Sequence, residues 1–394
     1  MPLAVYVLGL SIFAQGTSEL MLAGLIPELA ADLRVSVPRA GLLISAFAMG
    51  MLVGAPVLAV VTRRWPRRTA LLTFIGVFVL SHVVGGLTSS YEVLFATRVA
   101  GAFVYAGFWA VAAATAIGMV PANARGKAMS VLAGGLTVAT IVGLSLSTVI
   151  GQHMGWRAAF WAVAALSALA GLGVLATIPG GRADTGDAPG AGAELRSMLN
   201  PGLWLAYGMT ALTTGALLAS FSYLSVLLVD TTGLDAAWVP AVLALYGVGS
   251  LIGIAIGGRT ADARPFRVLY AGVTGLVVTS AALALAAPVP VAAVLLVFLL
   301  GAFGFATNPA LNSRVFSLAP GAPTLVAAVN VSAFNVGITA GPWLGGLAIG
   351  AGFGYPSVAW IGAAIGVLSL VTVALAAARH RAPAPADREI FSPV

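Results

Sequence analysis

The chain has 394 residues, 60% of them hydrophobic and only 8% charged, with 19 Lys+Arg against 12 Asp+Glu and no cysteine. A soluble domain carries about 25% charged residues, so this composition excludes one. The absence of cysteine excludes disulfides and thiolate chemistry, and His82, His153 and His380 are too scattered for a metal cluster.

The composition describes a polytopic membrane protein. Its spans are expected to be helices of about 20 residues, because backbone in hydrocarbon finds no partner but itself. Twelve apolar segments are predicted, at roughly 4–26, 40–61, 69–87, 92–117, 128–150, 158–178, 202–229, 238–257, 268–287, 291–310, 324–349 and 357–377. The first lacks a basic leader and a cleavage site, so it is read as a span rather than a signal peptide.

Span 1 carries Glu19, the only acid placed inside the membrane, with Gln15 one turn earlier on the same face. Span 2 carries Gly50-x3-Gly54, a spacing that lets two helices approach closely. Span 3 carries His82, which either titrates near neutral pH or packs as a satisfied helix-end residue. Span 4 carries Arg98, the only base inside the membrane, and places Arg98, Ala102, Tyr105 and Trp109 on one face. That face either lines a polar cavity with aromatic walls or serves packing.

An ionisable residue in hydrocarbon costs roughly 2.5–3.5 kcal/mol on insertion scales, so a lone acid and base point to use. Helical rise puts Glu19 and Arg98 at matching depth, roughly 10–12 Å below the outer surface, which allows a direct or water-bridged pair. Burial disfavours a carboxylate's charge and a nearby cation favours it, and that competition lets one group load and release a proton. The rival reading is a static ion pair that fixes helix packing.

Span 6 contains Gly171-Leu-Gly-Val-Leu-Ala176, a formal dinucleotide fingerprint, but no strand precedes it and it is dismissed. No P-loop or zinc-protease motif is present. The stretch 179–200, rich in Gly, Ala, Pro and Asp, is read as a cytoplasmic linker between an N-terminal half (1–178) and a C-terminal half (201–378), with a tail at 379–394. Asn308 and Asn312 on span 10, and Asn330 and Asn335 on span 11, are amides at membrane depth. They either bind substrate or hydrogen-bond across helices.

With the N-terminus inside, the inner loops and tail hold 15 basic residues and the outer loops 3 (Arg34, Arg39 and Arg157), which puts both termini in the cytoplasm. The basic balance is topology, not a nucleic-acid footprint. The halves also repeat. AFAMGMLVG ending at Gly54 matches LYGVGSLIG ending at Gly253, GAF at Gly101 matches GAF at Gly301, and a glycine series from Gly143 matches one from Gly337. Such repeats are the internal symmetry of many secondary transporters, with the site between the halves. By these offsets Arg98 corresponds to Phe298 and Glu19 to about Leu218, so ion coupling is expected in the N-terminal half.

These features resemble the major facilitator superfamily, specifically its twelve-span drug:proton antiporters. TRRWPRR at 62–68 sits where the family carries its loop motif, with Ala59, Arg63 and Pro66 departing from the usual Gly, Asp and Gly. The second copy, Gly258-x-x-Ala261-Asp262, keeps the acid. The resemblance implies a cytoplasmic gate involving Arg67, Arg68 and Asp262. LFATRVAG resembles the fourth-span motif, whose Arg (here Arg98) is implied to serve proton transfer. Gly134-x8-Gly143-x3-Ser147-Thr148-x2-Gly151 resembles the fifth-span antiporter motif, with Ser147-Thr148 in place of Gly-Pro, and implies a conformational role for Gly134, Gly143 and Gly151.

The opening, FAQGTSELMLAGLIPELAADLRVSVPRAGLLISAFAMGMLVGAP, is similar to the sugar-efflux and chloramphenicol-resistance branch, nearest actinobacterial exporters. The resemblance implies proton-driven export of chloramphenicol from a bacterial cell, across its plasma membrane. The expectation is an all-α transporter of twelve helices in two pseudo-symmetric halves, not an enzyme. It acts as a monomer with the proton as its only coupling ion and no other cofactor. Its partners are the lipid bilayer and a small neutral amphiphilic drug, met by Gln15, Tyr105, Trp109, Asn308, Asn330 and Asn335. The alternatives are a sugar or metabolite exporter of the same fold and a non-transporting receptor or scaffold.

Overall fold

A computed structural model describes residues 1–62, 65–121, 124–180, 199–261, 264–319 and 323–381. The described residues are mostly helical, with short connecting turns and without a strand. Most of the expected linker, the expected tail beyond Arg381 and Asp262 lie outside them.

Twelve helical passes make two halves. The first half holds α1 (Leu3–Asp32), α2 (Val37–Val61), α3 (Arg67–Leu87), α4 (Tyr91–Gly118), α5 (Arg125–Val138, continued by Ala139–Gly143 and Leu144–Met154) and α6 (Trp156–Thr177). The second holds α7 (Pro201–Ser222, continued by Leu224–Val226 and Leu227–Thr231), α8 (Val239–Ala261) and α9 (Pro265–Ala286). It is completed by α10 (Pro290–Ala306 with Asn308–Leu318), α11 (Pro323–Gly350) and α12 (Ser357–Arg381). Eleven of the passes are long and apolar enough to cross a membrane, and α11 is a 28-residue helix packed along α2 and α7.

Local chemistry sets the ends. Ser90 accepts a hydrogen bond from the Val93 amide at the start of α4, and Asn200 accepts one from the Gly202 amide at the start of α7. Pro201, Pro265 and Pro290 open their helices, where a missing N–H costs nothing. Gly155, at φ 81°, turns the chain between α5 and α6.

Helix α1 runs past its expected end at 26 to Asp32, carrying Pro27 and Glu28 within it. Asp32 is held there by the Trp156 indole at 3.0 Å and by an ion pair with Arg157. Glu28, expected outside the span, is therefore a half-buried group on α1.

The repeat is visible in the packing. Gly50 and Gly54 of α2 lie against the carbonyls of Val99 and Phe103 of α4, where any Cβ would collide. Gly249 and Gly253 of α8 lie against the carbonyls of Phe298 and Ala302 of α10. Every one of these pairs is offset by 199 (249 − 50 and 298 − 99, for example). One turn further the two halves solve the same contact in opposite ways. Leu58 on α2 packs into Gly107 on α4, whereas Gly257 on α8 packs against Ala306 on α10. This register corrects one expectation: the position matching Arg98 is Val297, fully buried, rather than Phe298.

The halves meet at the end remote from the start of α1 and the finish of α12. Ser45 of α2 donates to the Thr339 carbonyl of α11 at 2.9 Å, and Ser225 donates to the Ala23 carbonyl of α1 at 2.7 Å. Gln152 donates to the Ala236 carbonyl at 2.7 Å. The Tyr223 ring wedges between Gly41 of α2 and Gly346 of α11. A central cavity of about 660 Å³ begins beneath this seal. It runs to Met129 and Ala327, within about a turn of the termini-bearing ends of α5 and α11. The cavity is thus closed at one end and directed to the end where α1 begins and α12 finishes.

Candidate functional site

The cavity walls are mostly apolar, with Leu20, Met51, Leu217, Phe221, Phe305 and Ile338 among them. Its size falls in the range of small-molecule sites, roughly 300–1,000 Å³. Among the described residues Glu19 is the one acid in the lining, and it stands under the seal, half-buried at the cavity wall. Trp109, Asn308 and Asn335, all expected at the site, also line it, together with Asn312.

Arg98 is 2% exposed and sits behind Glu19, in the packed interface of α1, α2, α3 and α4. Of the direct or water-bridged pair that matching depth allowed, the direct form is not made. The ion pairs among the described residues are Arg39–Glu92 and Arg157–Asp32, both near the far end. Arg98 instead donates from Nη1 to the Ser18 hydroxyl at 2.7 Å and from Nη2 to the Ser18 carbonyl at 2.9 Å. Its guanidinium lies 4.3 Å from the centre of the Phe47 ring. The matching depth does hold, since Ser18 is the residue next to Glu19.

His82 completes this cluster. It is 3% exposed, with Nε2 2.6 Å from Ser18 Oγ and Nδ1 2.8 Å from the Phe78 carbonyl, and its ring lies 4.2 Å from that of Phe78. The helix-end histidine is thus a fully bonded interior group. Charge-based sequence reading missed Ser18 because a serine in an apolar span looks like a packing residue; the cue was its place beside Glu19.

Three residues expected to meet substrate lie behind the wall. Gln15 is 1% exposed, and neither amide atom has a protein hydrogen-bond partner. Tyr105 is fully buried between Phe47 and Phe78, its hydroxyl also unpartnered. The face shared by Arg98, Tyr105 and Trp109 therefore divides: its upper part is clamped against α2 by Gly50 and Gly54, and Trp109, a turn lower, reaches the cavity. Asn330 is bonded to Thr210 and to Asn312 Oδ1, which fits a cross-helix strut that orients a cavity-lining amide. Asn335 donates to the Val331 carbonyl and leaves its Oδ1 unpartnered.

The residues assigned to gating fall in two groups. Arg67 packs its guanidinium against Gly118 at the C-terminal end of α4, a place that favours a cation, and Arg68 lies near Gly180. Arg67 thus touches the first half itself, and Arg68 the start of the linker. On α5, Gly143 lies against Thr17 and Gly151 against Leu25, both on α1. Gly134 has open space around it, and the glycine seated on the Gly9 carbonyl is Gly135, one position on. Gly143 and Gly151 of the motif are thus packed on α1, and at the start of the series the close contact is made by Gly135 rather than Gly134.

A second feature was missed. Ala139–Gly143 is a π-helical turn in the middle of α5, a form frequent at functional sites. Its Thr140 lines the cavity, and Thr140 and Ile141 abut Gly247 of the other half. The β-branched residues Thr137, Val138, Thr140, Ile141 and Val142, interrupted only by Ala139 and poor helix formers, were the available signal.

Two six-helix halves related by one register, closed over a small-molecule cavity with a lone acid, define a membrane transporter rather than an enzyme. The comparisons give the family. The Major Facilitator Superfamily model matches residues 8–332, and the chain belongs to that family. It is 46% identical over 353 residues to a protein of Streptomyces lividans named "Chloramphenicol resistance protein", covering 89% of this chain and 90% of that one. It is 33% identical over 373 residues to the inner membrane transport protein YdhP of Escherichia coli K12, covering 95% of each. Among solved structures the nucleoside transporter NupG superposes with a TM-score of 0.75 at 14% identity, over 97% of this chain and all of that one. This last likeness concerns the fold alone.

Proposed function

We propose that this transporter exports a small, neutral, amphiphilic drug, chloramphenicol or a relative, from a bacterial cell in exchange for protons. The observation that carries the reading is Glu19: one acid in the lining of an apolar cavity, under the seal between the halves. The family relation to a protein named for chloramphenicol resistance supports the drug. Apolar and aromatic walls with amide groups on α10 and α11 suit a neutral amphiphile with hydrogen-bonding groups.

With the termini in the cytoplasm, as the distribution of basic residues indicates, the described state faces inward. Drug enters from that side while Glu19 gives its proton to the cytoplasm. The halves then rock, the seal at Ser45, Ser225 and Tyr223 opens, and the drug leaves outward. Glu19 takes a proton from outside and, neutral, allows the return. Trp109, Asn308, Asn312 and Asn335 bind the drug, and the protein works as a monomer because one chain encloses the whole cavity.

The test is chloramphenicol accumulation in cells producing the wild type or Glu19→Gln, with and without a protonophore. Lower accumulation in the wild type, abolished by both treatments, is the expected result. Unchanged accumulation in the wild type sinks the substrate, and full export by Glu19→Gln sinks the coupling role.

A further inference from the structure

The cluster behind Glu19 has a hydrogen-bond order fixed by its atoms. The Phe78 carbonyl only accepts, so His82 Nδ1 carries the proton that faces it at 2.8 Å. Arg98 Nη1 only donates, so the Ser18 oxygen is an acceptor at 2.7 Å. The Ser18 proton is then free to point at His82 Nε2, 2.6 Å away, which in the neutral ring is an acceptor. The chain runs in one direction: Arg98 to Ser18 to His82 to the Phe78 carbonyl.

Arg98 is nevertheless short of partners. Its Nε is buried without one, and no carboxylate among the described residues lies within ion-pair distance of it. A buried guanidinium held by a hydroxyl, a carbonyl and a ring has a standing preference for an anion. An acid adjoins the residue that holds it: Glu19 follows Ser18 directly on α1.

We propose that Ser18 and His82 are positioning residues that hold Arg98 in a docked state apart from Glu19, and that leaving this dock delivers Arg98 to Glu19 during the cycle. The inference rests on Glu19 as the proton carrier. His82 acts through its acceptor nitrogen and carries no transported proton. While Arg98 is docked, Glu19 is free to be protonated. Without the dock, Arg98 stays with Glu19 and holds it ionised.

The test is carbodiimide labelling of Glu19, which takes only the protonated carboxyl, read by mass spectrometry on purified protein at neutral pH. Glu28 on the same helix serves as internal control. Ser18→Ala and His82→Phe are expected to lower Glu19 labelling several-fold with Glu28 unchanged, and the double variant to do no more than either. His82→Phe keeps the ring packed on Phe78 and Phe160. His82→Gln, which retains an acceptor and a donor but cannot take up charge, is expected to label as the wild type does.

Wild-type labelling in Ser18→Ala overturns the proposal, as does loss of labelling in His82→Gln equal to that in His82→Phe. Ser18→Ala deletes a single oxygen and carries the test should His82→Phe fail to fold. The two readings fail separately. Retained uphill export in Glu19→Gln removes the coupling role whatever the labelling, whereas unchanged labelling beside Glu19-dependent export removes only the dock.

Discussion

The two halves share a packing pattern and differ in what they bury. Gly50 and Gly54 meet α4 as Gly249 and Gly253 meet α10, carbonyl for carbonyl at one offset. Among the described residues the fully buried charge lies in the first half, and the second half has Arg314, half-buried over the Phe266 ring at 4.4 Å. Where α4 has Arg98, α10 has Val297, and where α2 presents Phe47 to the guanidinium, α8 presents Tyr246, stacked on Phe221 at 4.3 Å. The second half ties its helices with neutral pairs instead, Thr213 with Ser369 at 2.8 Å and Ser220 with Ser280 at 3.0 Å. Close glycine contacts depend only on backbone geometry, so duplication preserves them at no cost. A buried charge is expensive in each copy, so one functional set suffices.

The comparison can be broken most forcefully at Glu19. Glu19→Gln is expected to abolish uphill transport, at least a hundredfold in rate against a gradient, while drug binding persists. Arg98→Lys keeps a charge but loses the two-pronged contact with Ser18. Its expected cost is about tenfold in proteoliposome transport, short of the loss at Glu19.

The shared packing gives a paired test. Gly54→Ala and Gly253→Ala each push a Cβ onto a carbonyl, and each is expected to destabilise by about 1–3 kcal/mol in thermal unfolding. A large loss in one half with none in the other would show that the halves are not equivalent. Asn335→Ala, in the neutral half, is expected to weaken apparent drug affinity about fivefold, roughly 1 kcal/mol, with the proton dependence unchanged. Glu92→Gln, which removes the exposed partner of Arg39, should leave the melting temperature where it is.

Much of the fold was legible because lipid permits few solutions. Apolar runs marked every pass, and the glycine spacings marked the contacts that relate the halves. Helix ends were less legible. Pro27 suggests a stop, yet α1 continues to Asp32 because Trp156 and Arg157, more than a hundred residues away, hold its last residue.

The site was half legible. Glu19, Trp109, Asn308 and Asn335 line the cavity, because polar groups at membrane depth carry a strong signal. The partner of Arg98 was not, since opposite charges at equal depth suggest a pair, and a serine hydroxyl offers the alternative only once α1, α3 and α4 are packed. Gln15 and Tyr105 show the same limit, for a helical face says which residues are neighbours and not which neighbour the other helix covers.

In the proposed cycle Glu19 gives up its proton as drug binds. The most direct measurement adds chloramphenicol to purified protein in weakly buffered detergent solution and follows the pH. Proton release from the wild type and none from Glu19→Gln is the predicted result. Equal release from both proteins would contradict it and move the coupling group elsewhere in the chain.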